Sequence, residues 1–211
     1  MLGRLGRQAI RSFDAFLRWA YRIEEFTQDS ECIVRLGPGR CRWTVRLSDG
    51  TVLHPGDALL EMHLWNEHLP PIPPEGHTVA WGARLLYLMR RSLDLLAEYV
   101  LGEPRLSHIQ ALHGILPIPG GKALPRWERA LRHLGFEVVR PPSGWWHTFA
   151  AFWENLYTWA IIWAFNPPSL RRRRFGRMVR CHVWLTRSTL AALAGKPTAG
   201  QVTAEQGRPA P

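Results

Sequence analysis

RWTVRLSDGTVLHPGDALLEMHLWNEHLP, residues 42–70, decides the reading of this chain. Ser48-Asp49-Gly50 supplies the residues that a tight hairpin turn with positive φ demands, and His54-Pro55-Gly56-Asp57 marks a second turn soon after. Between and around them the side chains alternate. From Ala58 to Trp65, Leu60, Met62 and Leu64 point one way while Glu61, His63 and Trp65 point the other, which is the period of a half-buried strand. The strand runs into Asn66-Glu67-His68-Leu69-Pro70, so the clearest secondary structure and the densest polar chemistry coincide.

Working outward, strands are predicted at Cys32–Leu36, Cys41–Leu47, Thr51–Leu53 and Ala58–Trp65, joined as an antiparallel meander, with Gly37-Pro38-Gly39-Arg40 read as a type II turn. Pro70, Pro71, Pro73 and Pro74 end that series, because proline cannot donate to a ladder. Helices are predicted over 2–27 and 78–101. The first sets Ile10, Phe13, Phe16, Leu17, Ala20 and Ile23 against a stripe of Arg7, Arg11, Arg18 and Arg22. The second has Thr78 as its N-cap and Gly102 past its end. A strand follows at about 106–115, then a short helix between Pro125 and Gly135, a strand at Phe136–Arg140, and a last strand at Met178–Thr186. Gly120-Gly121-Lys122 lacks the earlier Gly and the following Ser or Thr of a phosphate-binding loop.

The most apolar stretch is 144–166, where Trp145, Trp146, Phe149, Phe152, Trp153, Trp159 and Trp163 fill most of a helix. Glu154 and Asn155 sit at its middle, and an acidic residue there costs about 2.5–3.5 kcal/mol on membrane insertion. A buried or interfacial helix is therefore expected ahead of a spanning one. Arg171-Arg172-Arg173-Arg174 follows it.

These elements predict an α+β fold, with one mostly antiparallel or mixed sheet of six to seven strands and three to four helices packed on it. The division expected is an N-terminal amphipathic helix over 1–30, a single α+β domain over 31–193 and a disordered tail over 194–211. The 211 residues carry a formal charge of +10 and 11 Trp. A basic, Trp-rich chain points to nucleic acid, an anionic membrane surface or an acidic ligand. Three Cys without a CxxC pair predict reduced thiols, Cys32 and Cys41 not facing one another. With no secretory pattern after the basic first residues, a cytoplasmic location is expected, peripheral to the inner face of the membrane.

Leu47-Ser48-Asp49-Gly50, Gly56-Asp57, the run Leu60 to Asn66 and Leu134-Gly135-Phe136-Glu137-Val138 resemble the YkoP-like domain family of bacteria, over about residues 10 to 190. Members stand alone or follow polysaccharide deacetylase domains, so the resemblance implies work on envelope glycans or lipid-linked sugars, beside an envelope-polysaccharide enzyme. No deacetylase domain fits in this chain, and the family supplies no catalytic residues to carry over.

Two functions of different class follow from the residues. One is a peripheral membrane or glycolipid-binding module, with Arg11, Arg18, Trp145, Trp146 and Arg171, Arg172, Arg173 and Arg174 as its contact residues. Its partner is an anionic membrane surface or a lipid-linked glycan. The other is a small enzyme on a glycan or lipid-linked substrate, with His63 as general base, Asn66 as an orienting or anion-stabilising donor and Glu67 as partner. His63, His113 and His182 each fall on a predicted strand, near Glu61 or Glu67, but the spacing is not that of a metal site, and neither metal nor cofactor is assigned. Nucleic-acid binding ranks third, since stacking platforms for single strands sit on sheet faces or in grooves.

Overall fold

The computed structural model describes residues 2–71, 73, 78–119, 121, 124–140, 156, 159–164 and 178–194. In chain order these form α1 (Leu2–Ala20), β1 (Val34–Arg40), β2 (Val45–Arg46), β3 (Val52–Leu53), β4 (Ala58–Leu64), α2 (Val79–Gly102), a 3-10 turn (Pro104–Leu106), β5 (Ala111–Pro119), α3 (Leu124–His133), β6 (Glu137–Val139), β7 (Met178–Thr186) and α4 (Arg187–Ala194). Residues 159–164 are also helical.

The fold class is α+β, but the expected single sheet of six to seven strands is divided. Five strands form one mixed sheet in the order β1-β4-β5-β7-β6, and among the described residues β2 and β3 pair only with each other. The cause is β1. Gly37-Pro38-Gly39-Arg40 is not a turn: β1 runs straight through it, pairing antiparallel with β4 from Val34↔Leu64 to Arg40↔Ala58. An edge strand tolerates Pro38, whose missing N–H interrupts no ladder on the outer side. With β1 already spanning β4, the segment between them folds back as a separate hairpin instead of a meander. The pairing β4–β5 is parallel, and α2 makes the crossover that such a pair requires.

Strand alternation gives the sheet two unlike faces. On one, Val34, Leu36, Leu60, Leu112, Val183 and Leu185 pack against Leu88, Leu93, Leu96, Ala97 and Val100 of α2 and Leu190 and Leu193 of α4. Thr78 caps α2, accepting from Trp81 N. Ser92, buried at mid-helix, accepts from Ile33 N and donates to the Leu88 carbonyl, both at 2.8 Å, which locks α2 to the chain entering β1. On the other face, one half is covered by the β2–β3 hairpin, where Cys41, Val45, Leu47 and Leu53 enclose Leu59, Ala111 and Trp184. The predicted turn sets that cover in place. Gly50 takes φ 90°, Asp49 accepts from Thr51 N at 3.0 Å and from Ser188 Oγ at 2.5 Å, and Ser48 donates through N and Oγ to Glu137.

α1 is shorter than the predicted 2–27. After Ala20 the chain leaves the helix and lies along the outer side of β1, with Glu24 and Leu36 exchanging backbone hydrogen bonds. The helix is held to residues 159–164 by Arg11, which donates to the Ala164 carbonyl at 3.1 Å, and by Gly6, where an added Cβ would stand 3.0 Å from the Trp163 ring. α4 was given no element by the sequence pattern. The three cysteines are free and buried, and burial raises each thiol pKa.

Candidate functional site

Next to the β2–β3 hairpin the second sheet face carries the polar residues. Register places them in rows. Gly37, Glu61, His113, Trp184 and Glu137 lie side by side across the five strands, and Arg35, His63, Ile115, His182 and Val139 form the next row. His113 therefore has Glu61 beside it on β4 and His182 diagonally across on β7. Both contacts are hydrogen bonds: His113 Nδ1 to Glu61 Oε2 at 2.8 Å and His113 Nε2 to His182 Nδ1 at 3.0 Å.

Aromatic rings hold this chain in place. Trp184 lies 4.4 Å from His113 between centroids, and Trp43 stands edge-on to both imidazoles, at 6.2 Å from His113 and 5.1 Å from His182. Gly39 on the edge strand makes room for the acid, since a Cβ there would come within 2.5 Å of Glu61 Cγ. His113 is buried, and His182 is only partly covered. Burial first, then the positive charges of His113, Arg180 and Arg42, brings His182 down to about 4 against the opposing pull of Glu61. Among the described residues no group of three or more His, Cys, Asp or Glu side chains converges on a point that holds a metal ion. His113 spends both ring nitrogens on its neighbours.

Among the described residues no hydrogen bond or ion pair joins the three residues that the sequence singles out. His63 lies one row from Glu61, on the same face, with its Nε2 near Gly37. Its surface is open to solvent, yet desolvation lowers its pKa against the pull of Glu61 and Asp14. Asn66 is in the turn beyond β4. Glu67 is turned toward cations, 3.4 Å from both Arg18 and Arg35. Arg35 is buried, bonded also to Glu25 at 2.7 Å and stacked 4.3 Å over the Trp65 ring, so this ionic cluster ties α1 and its exit segment to β1 and β4.

Of the expected membrane-contact residues, Arg18 is paired with Asp14 and Glu67 and Arg11 is bonded to Ala164. Trp145, Trp146 and Arg171 to Arg174 lie outside the described residues. α1 has a feature that the arginine stripe concealed. Its half-buried arc holds Ile10, Asp14, Leu17 and Arg18, whereas Phe13, Phe16 and Trp19 are 52%, 55% and 76% exposed, with Tyr21 at 65% just beyond the helix. No helix among the described residues is long and apolar enough to cross a membrane.

The fold and this face define an α+β protein with a largely buried carboxylate–imidazole–imidazole chain on one sheet face. The profile of the YkoP domain family matches residues 4–194, and the chain belongs to that family. No curated protein and no solved structure matches it.

Proposed function

We propose that the protein works at the surface of an anionic bilayer and presents the polar sheet face to a glycan or lipid-linked glycan of the cell envelope. The observation that carries this reading is the exposed aromatic arc of α1. Phe13, Phe16 and Trp19 follow one another at i, i+3 spacing and are each more than half exposed. Aromatic side chains in that arrangement suit the headgroup boundary of a membrane. The net charge of +10 supplies the sign of the lipid, and Arg171 to Arg174 would add roughly 1 kcal/mol per arginine near such a surface. The segment leaving α1 borders the site: Ile23 and the Tyr21 carbonyl stand against Gly37, next to His63. Docking through the aromatic arc brings the mouth of that face close to the bilayer, where a lipid-linked sugar is within reach.

The test is sedimentation with neutral and anionic liposomes across a salt series. Binding to anionic vesicles that weakens with salt, and that is lost in Phe16→Ser/Trp19→Ser and reduced when Arg171 to Arg174 become Ala, is the expected result. Absence of binding to both vesicles, or binding only to oligonucleotides with a steep salt slope, overturns it. A second reading, a small enzyme on the same class of ligand, is favoured by the hydrogen-bonded Glu61–His113–His182 chain.

A further inference from the structure

We infer that Glu61, His113 and His182 form a hydrogen-bond relay of fixed direction whose outer atom, His182 Nε2, accepts a hydrogen bond from a ligand hydroxyl. The direction follows from counting donors. An ionised carboxylate can only accept, so the 2.8 Å contact fixes the proton of His113 on Nδ1. Neutral His113 is then an acceptor at Nε2, and the 3.0 Å contact fixes the proton of His182 on Nδ1. That leaves the lone pair of His182 on Nε2, the one relay nitrogen without a partner among the described residues. The protein thus sets both tautomers through one carboxylate, in the way that a second hydrogen bond ordinarily decides which imidazole nitrogen is available.

Three further observations suit a ligand here. His113 is 5% exposed and cannot meet a ligand, whereas His182 is partly open. Trp184 Nε1 is buried beside the relay with no acceptor among the described residues, and buried donors ordinarily have one. Arg42 and Arg180 act on His182 from the loop before β2 and from its own strand, His113 and Glu61 from the two strands beside it. Burial is the first cause that holds His182 down. Near neutral pH His182 is in its accepting form.

No covalent bond breaks: the ligand O–H donates a hydrogen bond to His182 Nε2, and Glu61, through His113, holds that lone pair available. Arg42 and Arg180 lie near enough to act on His182. The ligand class is a hydroxylated molecule, sugar or polyol, that fits against Trp43. This goes beyond membrane docking and stands without it.

The experiment is long-range proton–nitrogen NMR of the lipid-free full chain, with His182→Gln for assignment, followed by diethyl pyrocarbonate labelling read by peptide mass. Expected are an unprotonated His182 Nε2 and a protonated Nδ1, weakening of that preference in Glu61→Gln, carbethoxylation of His182 with His113 spared, and a shift of the Nε2 resonance on adding methyl glucoside or glycerol. A protonated Nε2, a His182 that the reagent does not reach, or a resonance that neither polyol moves overturns the inference. Should Glu61→Gln fail to fold, the tautomer of the unaltered chain still decides. Liposome binding does not enter any of these readouts, so the two proposals fail separately.

Discussion

The two faces of the five-stranded sheet are made by the same strands and differ at every alternate residue. One is Val, Leu and Met against α2 and α4; the other is Arg35, Glu61, His63, His113, His182 and Trp184, half covered by a small hairpin. The difference separates two tasks. The apolar face supplies the burial that holds the domain together, and the polar face can keep costly buried imidazoles only because the other is so complete.

That division is broken hardest from the apolar side. Leu96→Ala, at a fully buried α2 position, is expected to cost about 2–5 kcal/mol in urea unfolding while leaving the histidine tautomers unchanged in the molecules that remain folded. Gly39→Ala comes next. A methyl 2.6 Å from Leu59 Cδ1 as well as against Glu61 is expected to cost about 1–3 kcal/mol, and to push Glu61 off His113 in the NMR spectrum. Glu61→Gln removes the charge without changing the shape; the amide oxygen can still accept from His113, so the loss is about 1 kcal/mol, the difference between a charged and a neutral acceptor.

A pH series sharpens the comparison. The folded pKa of His182 is lowered, to about 4, so between that value and the ordinary imidazole range the unfolded chain binds a proton that the folded one refuses. Stability from this group is full above the ordinary range and is lost as pH falls toward 4. His63, also lowered, adds in the same direction. His182→Gln should flatten that limb of the pH–stability curve in part, whereas Leu96→Ala should lower the whole curve without changing its slope. The smallest effect on stability is expected outside both faces: Phe16→Ser/Trp19→Ser should change unfolding by only about 0.5 kcal/mol per site, and yet abolish liposome binding.

Local signals made much of this architecture legible. The alternation in 58–65, the Asp-Gly turn, the Thr78 cap and the strand at Met178–Thr186 are all encoded within a few residues of themselves, and each is present. What failed depended on partners far away in the chain. Gly37-Pro38-Gly39 has turn composition, and only the long β4 opposite it makes it a strand. Glu61, His113 and His182 were each visible as chemistry-bearing strand residues, but they are separated by 52 and 69 positions, and strand order alone brings them together. The reading from sequence favoured His63, Asn66 and Glu67 because they are neighbours along the chain. Likewise the arginines of α1 were legible as a stripe, but their pairing with Asp14, Glu67 and the Ala164 carbonyl was not.

The place of β7 in the sheet has a consequence for how the protein is made. It is the last strand among the described residues, yet it lies between β5 and β6, and among those residues β6 pairs with β7 alone. During synthesis, therefore, β1, β4, α2 and β5 can assemble early while β6 waits, and the third member of the relay arrives only when residues 178–186 leave the ribosome. A nascent or prematurely stopped chain holds Glu61 and His113 on an unfinished edge, without the outer imidazole. The site is licensed by completion of the fold: the strand that closes the sheet is the one that brings the acceptor.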